Sequence, residues 1–368
     1  MLKHLDLFNF RNYEKYSIDF NEITILIGPN GIGKTNIIEA AYLISTARSW
    51  RTNKDNETVR WDADVARIIG KIQNLPAGRQ GAELKIEMII QKIPTAENPK
   101  TKLVKINDVR KKLTDILGLM PTVLFSPEEI HLIDGAPSLR RRFLDIFLCQ
   151  IDKKYTLSLL DLAKIIRGRN KLLFYIKIGK SKVGELEFWD EKLIALGSFI
   201  IKKRQKMIAK MNEDLPAGRQ GLTKIYQEIS GTGESLELKY RMSVEPEMFF
   251  ETLIANRERE IEQTATMFGP HRDDLVFLLE NKDITTFGSR GEYRSAVLAV
   301  KVAELGYLAE EKGERPLLLL DDIFSELDKN RRMHLAKIVE GQQTIITTTD
   351  LDHIEKGLRE KAKIVELK

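Results

Sequence analysis

Gly28-Pro29-Asn30-Gly31-Ile32-Gly33-Lys34-Thr35 is the stretch on which the reading of this chain turns. It fits G-x-x-x-x-G-K-[ST], the pattern of a phosphate-binding loop. Before it, Ile23 to Ile27 read as an apolar strand. After it, Ile37, Ile38, Ala41, Tyr42 and Ser45 fall on one side of a helix. Strand, loop and helix in that order are the context the motif requires. Glycines let backbone N–H groups curl around phosphate oxygens, and the helix N-terminus adds positive potential. Gly28, Pro29, Asn30, Gly31, Ile32 and Gly33 are therefore expected to cradle the phosphates of a nucleotide such as ATP. Lys34 would reach its β- and γ-phosphates, and Thr35 would hold Mg²⁺.

A second segment, far along the chain, supplies what such a loop lacks. Nucleotide hydrolysis needs an acid at the end of a buried strand to hold the metal. Pro316 to Leu320 read as that strand, and Asp321 follows it. Asp322 comes next, where it could orient or deprotonate the attacking water. Ser325-Glu326-Leu327-Asp328 lies just beyond. A third segment, Phe287-Gly288-Ser289-Arg290-Gly291-Glu292, precedes a helix with Ala296, Val297, Val300, Ala303 and Tyr307 on one face. Ser289, the Gly291 amide and that helix N-terminus form a second anion-binding corner. One chain does not need two corners for one nucleotide. Two chains facing each other would, each lending its second corner to the partner's γ-phosphate.

Composition narrows the classes. With 368 residues, 42% hydrophobic and 31% charged, the chain can bury a core and form two domains. No apolar run approaches a membrane span. The start, Met1 to Asp6, carries an early acid and no extended apolar stretch, so a secretory signal is not expected and the cytoplasm is. The single Cys149 excludes an internal disulfide and suits a reducing compartment. It sits in the apolar run Phe143 to Ile151, where burial is expected. Five scattered His residues and one Cys give no metal-ligand cluster, so no zinc site is expected. The net charge of +5 is unevenly spread: Ser138 to Lys210 holds 18 Lys and Arg against 7 Asp and Glu. Such a segment is an electrostatic footprint for nucleic acid, or else a set of solvated helix faces. Arg140, Arg141, Lys202, Lys203, Arg204 and Lys206 are its candidate DNA contacts.

Short apolar stretches at Ile23–Ile27, Val65–Ile69, Leu84–Ile90 and Leu103–Ile106 predict strands in the first part of the chain. From about 137 to 212 helical periodicity takes over, with few Gly or Pro. A strand at Leu236–Met242 and a helix at Pro246–Gln263 are expected after it. The α/β pattern returns from 266. The organisation expected is an ATPase head from residues 1–120 and 266–368, interrupted by a mainly helical lobe at 121–265. Leu-Pro-Ala-Gly-Arg-Gln-Gly occurs identically at 75–81 and 215–221. Pro and two Gly make each copy a loop, best read as a short insertion tolerated at a surface turn.

Phosphate loop, Ser289 to Glu292, Asp321-Asp322 and Ser325 to Asp328, in that order along the chain, resemble an ABC-type ATPase head with its signature motif and D-loop. More narrowly, the chain resembles the RecF family of bacterial recombination-repair ATPases. The resembling pieces are Asn9-Phe10-Arg11-Asn12-Tyr13, Leu124-Phe125-Ser126-Pro127-Glu128 and Arg140-Arg141-Arg142-Phe143-Leu144-Asp145. Gly269-Pro270-His271-Arg272-Asp273-Asp274-Leu275 completes the set, and the likeness runs nearly end to end. Where many ABC proteins carry Glu after the strand Asp, this chain has Asp322, as that family does. Where they carry a switch His, it has Thr347-Thr348-Thr349-Asp350. The resemblance implies an ATP-driven homodimer that binds single- and double-stranded DNA at gaps. It also implies weak, DNA-stimulated ATP hydrolysis that resets the dimer. RecO and RecR are implied as partners in loading RecA during replication, repair and the response to DNA damage.

Two other classes compete. An SMC-like chromosome ATPase carries hundreds of heptad residues between its nucleotide motifs, and this insertion has no sustained heptads. A transporter's nucleotide-binding subunit would carry a small insertion docking on a membrane partner, not a large basic helical one. Intact Lys34, Thr35, Asp321 and Asp322 argue against a scaffold without catalysis.

Overall fold

Leu317 to Asp321 has no polar alternation, so neither face of its pleat suits water. In the computed structural model it forms a wholly buried inner strand of a five-stranded parallel sheet. The sheet order is Lys363–Glu366, Ile23–Ile27, Thr344–Thr348, Leu317–Asp321, Thr122–Phe125. Register places Asp321 opposite Thr347, and Thr348 opposite Ile27. The carboxyl ends of three neighbouring strands therefore end at one level. In open parallel sheets, that edge is where ligands bind.

The structure describes residues 1–73, 83–94, 101–214 and 220–368. They divide into two compact units. The first comprises Met1–Glu129, Glu228–Thr232 and Val297–Lys368, and the second Ile130–Gln227 and Gly233–Ala296. Apart from Gln220 and Gly221, both copies of the seven-residue repeat lie outside the described residues. Among the described residues, no helix is long and apolar enough to cross a membrane.

The first unit adds a six-stranded antiparallel sheet to the parallel one. Its order is Tyr13–Asp19, Leu2–Phe10, Val65–Ile72, Leu84–Gln91, Lys102–Ile106, Val109–Lys111. The helix Lys34–Thr46 contacts strands of both sheets. The sequence pattern gave this helix one apolar side. The structure buries every residue from Ile37 to Thr46, because both faces are covered. Gly70 shows how closely strand and helix approach: a Cβ there would lie 2.3 Å from Ile44 Cδ1. Glu39 is buried with the rest, and its charge is met inside the unit by Arg11, as described below.

In the second unit, helices Pro137–Ile151, Lys153–Lys177 and Leu186–Asn212 carry the core. Cys149 is half-buried rather than buried, since Phe143, Leu144, Phe147 and Leu148 take the inner face of its helix. A three-stranded antiparallel sheet orders Lys282–Asp283, Asp274–Leu279 and Leu236–Arg241. That pairing carries residues 266–296 with the second unit, so the expected boundary at 265/266 falls inside it. The expected helix Pro246–Gln263 is instead a 3₁₀ turn and two helices, Phe249–Ala255 and Arg257–Gln263. The break is at Asn256, whose backbone and side-chain amides both donate to the Thr252 carbonyl.

Three helices of this unit meet at one guanidinium. Arg169 is fully buried, with Nε donating to Asp190 Oδ1 at 2.7 Å and Nη2 to Glu260 Oε2 at 2.6 Å. Its Nη1 donates to Thr266 Oγ1 at 3.1 Å. Removing one member of a buried ion network strands the others without water, at about 3–5 kcal/mol. Arg169→Met is therefore expected to lower unfolding stability by about that much. Urea unfolding followed by circular dichroism measures it, and an unchanged midpoint would show that the cluster adds nothing to stability.

Candidate active site

The phosphate loop leaves the Ile23–Ile27 strand and enters the Lys34–Thr46 helix through two left-handed glycines, Gly31 at φ +84° and Gly33 at φ +116°. Other residues are strained there. At Gly33 space adds a second demand, because a Cβ would lie 2.6 Å from the Tyr13 hydroxyl. The loop is held from outside by Asn12. Its Nδ2 donates to the Ile32 carbonyl at 2.8 Å, and its Oδ1 accepts from Asn36 Nδ2 at 2.8 Å. Next to it, Arg11 makes a two-pronged pair with Glu39, at 2.8 Å from Nε and 2.6 Å from Nη2. Ser49 and Arg51 also donate to Glu39. The segment Asn9 to Tyr13 thus braces the loop and its helix.

Lys34 is buried, and its Nζ donates to the carbonyls of Gly28 at 2.6 Å and Pro29 at 3.0 Å. Burial holds its ammonium pKa below the usual lysine range, partly offset by Asp322 and Asp321. Thr35 Oγ1 donates to Asp321 Oδ1 at 2.9 Å, so the loop and the strand acid are brought together. Asp321 is the last residue of its strand rather than the residue after it. Burial pushes its carboxyl above the ordinary range, against the bonds from Thr347 and Thr35.

Asp322 follows in the left-handed region at φ +51°. A non-glycine residue there stores roughly 1–3 kcal/mol and persists only where its surroundings hold it. Its N–H donates to Thr347 Oγ1 at 2.9 Å, and its carbonyl accepts from Ser325 Oγ at 2.7 Å. Its Oδ1 is buried without a hydrogen-bond partner. A buried acceptor left open beside Lys34 and Asp321 is an arrangement that a polar ligand would complete. No local sequence pattern assigns a role to Asn12, Glu39 or Thr347. Asn12 lay within a quoted motif, but nothing local tells that its amide reaches Ile32.

Ser289 and Gly291 belong to the second unit. Ser289 caps the helix Arg290–Lys312 through a reciprocal pair: its N–H donates to Glu292 Oε2 at 2.5 Å, and the Glu292 N–H donates to Ser289 Oγ at 3.2 Å. This is a capping box, which fixes the first turn in which Gly291 sits.

The basic candidates separate once side chains are placed. Arg204 is buried, donating to Tyr155 Oη at 2.9 Å, the Pro270 carbonyl at 2.7 Å and Asp145 Oδ1 at 2.7 Å. Arg140 is also buried, gripping both oxygens of Asp274 at 2.7 and 3.0 Å and the Gly135 carbonyl at 2.7 Å. The expectation that these two contact DNA is corrected: their charges are paired inside the unit and almost wholly withdrawn from solvent. Arg141 is half-buried and donates to the Asp273 carbonyl. Lys202 and Lys206 are exposed, and Lys203 is partly so, over Asp152. In the Gly269 to Leu275 motif, Asp273 accepts from Tyr240 Oη and the Ser243 N–H. His271 shares a hydrogen bond with the Thr266 carbonyl, and burial pushes its pKa down to about 4. These residues brace the second unit.

Comparison with known proteins places the chain in a family. The family model for the RecF/RecN/SMC N terminal domain matches residues 1–367. DNA replication and repair protein RecF of Bacillus cereus strain AH820 is 36% identical over 378 residues, covering 100% of this chain and 96% of the relative. RecF of Bacillus cytotoxicus is 36% identical over 377 residues, with the same coverage. A solved structure of the recombination mediator protein RecF-ATP in the RecFOR pathway superposes with a TM-score of 0.86 at 35% identity. It spans 96% of this chain and 93% of the other. The RecF-ATPrS form matches at a TM-score of 0.84, also at 35% identity, over 96% and 94%. The Smc head domain of Pyrococcus yayanosii, 15% identical at a TM-score of 0.50 over 94% and 92% of the chains, shares the fold alone. Head fold, loop and acid pair in one unit, and end-to-end likeness to these relatives lead to one assignment: the chain belongs to the RecF family of DNA replication and repair proteins, within the RecF/RecN/SMC group of ABC-type ATPase heads.

Proposed function

We propose that this chain is an ATP-dependent DNA-binding ATPase of replication and recombinational repair. It closes as a head-to-head homodimer on ATP and reopens after slow, DNA-stimulated hydrolysis. The observation that carries the reading is the 2.9 Å bond from Thr35 to Asp321, which joins residues 286 positions apart at the mouth of the phosphate loop. The relatives named RecF-ATP and RecF-ATPrS support ATP as the nucleotide.

Each residue then has a task. The loop amides and the helix N-terminus receive the phosphates. Lys34 exchanges its two carbonyl partners for β- and γ-oxygens. Among the described residues no three His, Cys, Asp or Glu side chains gather as a metal cage. Mg²⁺ takes one or two protein oxygens and completes its shell with phosphate and water. Thr35 and Asp321 would hold it, Thr35 donating its proton to Asp321 and keeping a lone pair for the metal. A Mg²⁺ ion held there would offset the negative charge of the phosphates. Asp322 accepts a hydrogen bond from the attacking water with the oxygen that now lacks a partner. Ser289 and Gly291 of the partner subunit close over the γ-phosphate.

Lys34→Ala is expected to abolish tight ATP binding, measured by titration calorimetry, because the phosphates lose their main side-chain cation. Asp322→Asn is expected to keep ATP and accumulate dimer in sedimentation, with hydrolysis down about 10²-fold or more. Unchanged ATP affinity in the first variant, or wild-type turnover in the second, would refute these roles.

Ser289→Arg tests the dimer. It is expected to bind ATP as a monomer and fail to dimerise, because the added bulk and charge fill the corner that meets the other copy. ATP-driven dimerisation at the wild-type level would sink the head-to-head arrangement.

DNA contact falls to the exposed lysines. Replacing Lys202, Lys203 and Lys206 with Gln should weaken binding to all duplexes alike. The slope of log affinity against log salt should fall by roughly 0.9 for each lost phosphate contact. An unchanged slope would leave this face a solvated helix surface. RecO and RecR are the partners this reading carries, supported by the RecFOR pathway to which the solved relatives belong.

A further inference from the structure

Thr347 occupies the position opposite Asp321 in the parallel pair and is fully buried. Its one hydroxyl serves both acids. Oγ1 donates to Asp321 Oδ1 at 2.8 Å and accepts the Asp322 N–H at 2.9 Å. A hydroxyl has one proton to give and lone pairs to receive, so both contacts have the right polarity at once. Asp321 Oδ1 has a second donor, Thr35, but Thr35 stands in the loop that must receive a nucleotide. Thr347 stands in the sheet, whose strands on both sides fix its position. The adjacent hydroxyl cannot replace it, because Thr348 Oγ1 is turned away to the Asp350 carbonyl at 2.8 Å. The Asp322 backbone also needs an anchor, being left-handed without a glycine.

We propose that Thr347 is a positioning residue for hydrolysis: its hydroxyl holds the Asp321 carboxylate and clamps the Asp322 backbone, so that the open Asp322 oxygen stays aimed at the attacking water. This rests on the ATPase reading above. The role belongs to the hydroxyl, not to the methyl. Thr347 therefore ties its own strand to the two acids of the neighbouring strand.

The test compares Thr347→Val and Thr347→Ser in the full-length chain, with ATP affinity, steady-state hydrolysis and thermal unfolding all measured. Val keeps the shape and β-branching but loses the hydroxyl; Ser keeps the hydroxyl but loses the methyl. In Thr347→Val, kcat is expected to fall at least about tenfold, the effect of one hydrogen bond to a charged group. Its ATP dissociation constant should stay within about threefold, as befits a group acting on the transition state. Thr347→Ser should keep most of the wild-type kcat. Wild-type turnover in the Val variant, or an equal fall in Ser and Val, would overturn the proposal, the second by assigning the effect to packing. If Val unfolds at the assay temperature, Thr347→Ala replaces it, since Ala and Ser both lack the methyl and only Ala lacks the hydroxyl. Equal rates in Ala and Ser would then overturn it. Lys34→Ala is the separate control: should it hydrolyse ATP like wild type, the nucleotide site itself is misassigned, whatever Thr347 does.

Discussion

The bond from Thr35 to Asp321 depends on strand order. The loop strand Ile23–Ile27 and the acid strand Leu317–Asp321 do not touch; Thr344–Thr348 lies between them. Because all three run parallel and in register, their carboxyl ends share one edge, and there Thr35, from the helix that follows the loop strand, meets Asp321. A slip of one residue in either pairing would turn Asp321 to the other face of the sheet. The buried helix Lys34–Thr46 keeps Thr35 at that edge. It is wedged against both sheets, so it cannot shift without opening the core of the first unit.

Several charged side chains of this protein are interior material. Glu39, Arg169, Arg204 and Glu260 are all buried, and each is met by opposite charge or by several hydrogen bonds. Lys301 and Glu304 continue the theme in the first unit, where Lys301 Nζ lies 2.7 Å from Glu129 and 3.1 Å from Glu304. Such clusters are poor sources of net stability, but their geometry is exacting, and a half-satisfied one is costly. Elements joined by them can be assembled in few ways. Arg169 reads three helices at once, and Arg11 sets the loop helix against the segment that precedes it in the chain.

The acid pair illustrates strain held by its surroundings. Asp322 would relax from its left-handed backbone if it were free, yet Thr347 and Ser325 bond it from two directions. The result is a carboxylate oxygen kept dry and open next to a buried lysine. Preorganised groups of this kind need no reorganisation when charge develops on a substrate, which is the main source of their catalytic value.

Local patterns in the sequence determined the loop, its strand and helix, the acid strand and the helical middle, because each rests on neighbours in the chain: glycine spacing, apolar runs and periodicity. Asp321 and Lys34 were legible for the same reason, since motif and flanks stand together. Partner choice over long distances was not legible. Lys202, Lys203, Arg204 and Lys206 are one basic run by composition, yet the helix turns Arg204 inward to Asp145 and leaves Lys202 and Lys206 in water. Arg140 met the same fate through Asp274, which lies 134 positions away. Residues 266–296 follow the second unit because Asp274–Leu279 finds Leu236–Arg241 as its partner strand and because Arg169, Arg204 and Arg140 bond to Thr266, Pro270 and Asp274. Thr347 became a clamp because the sheet sets it across from Asp321. Propensity and pattern act along the chain, whereas burial, register and ion pairing are settled between segments, and tertiary structure alone brings those segments together.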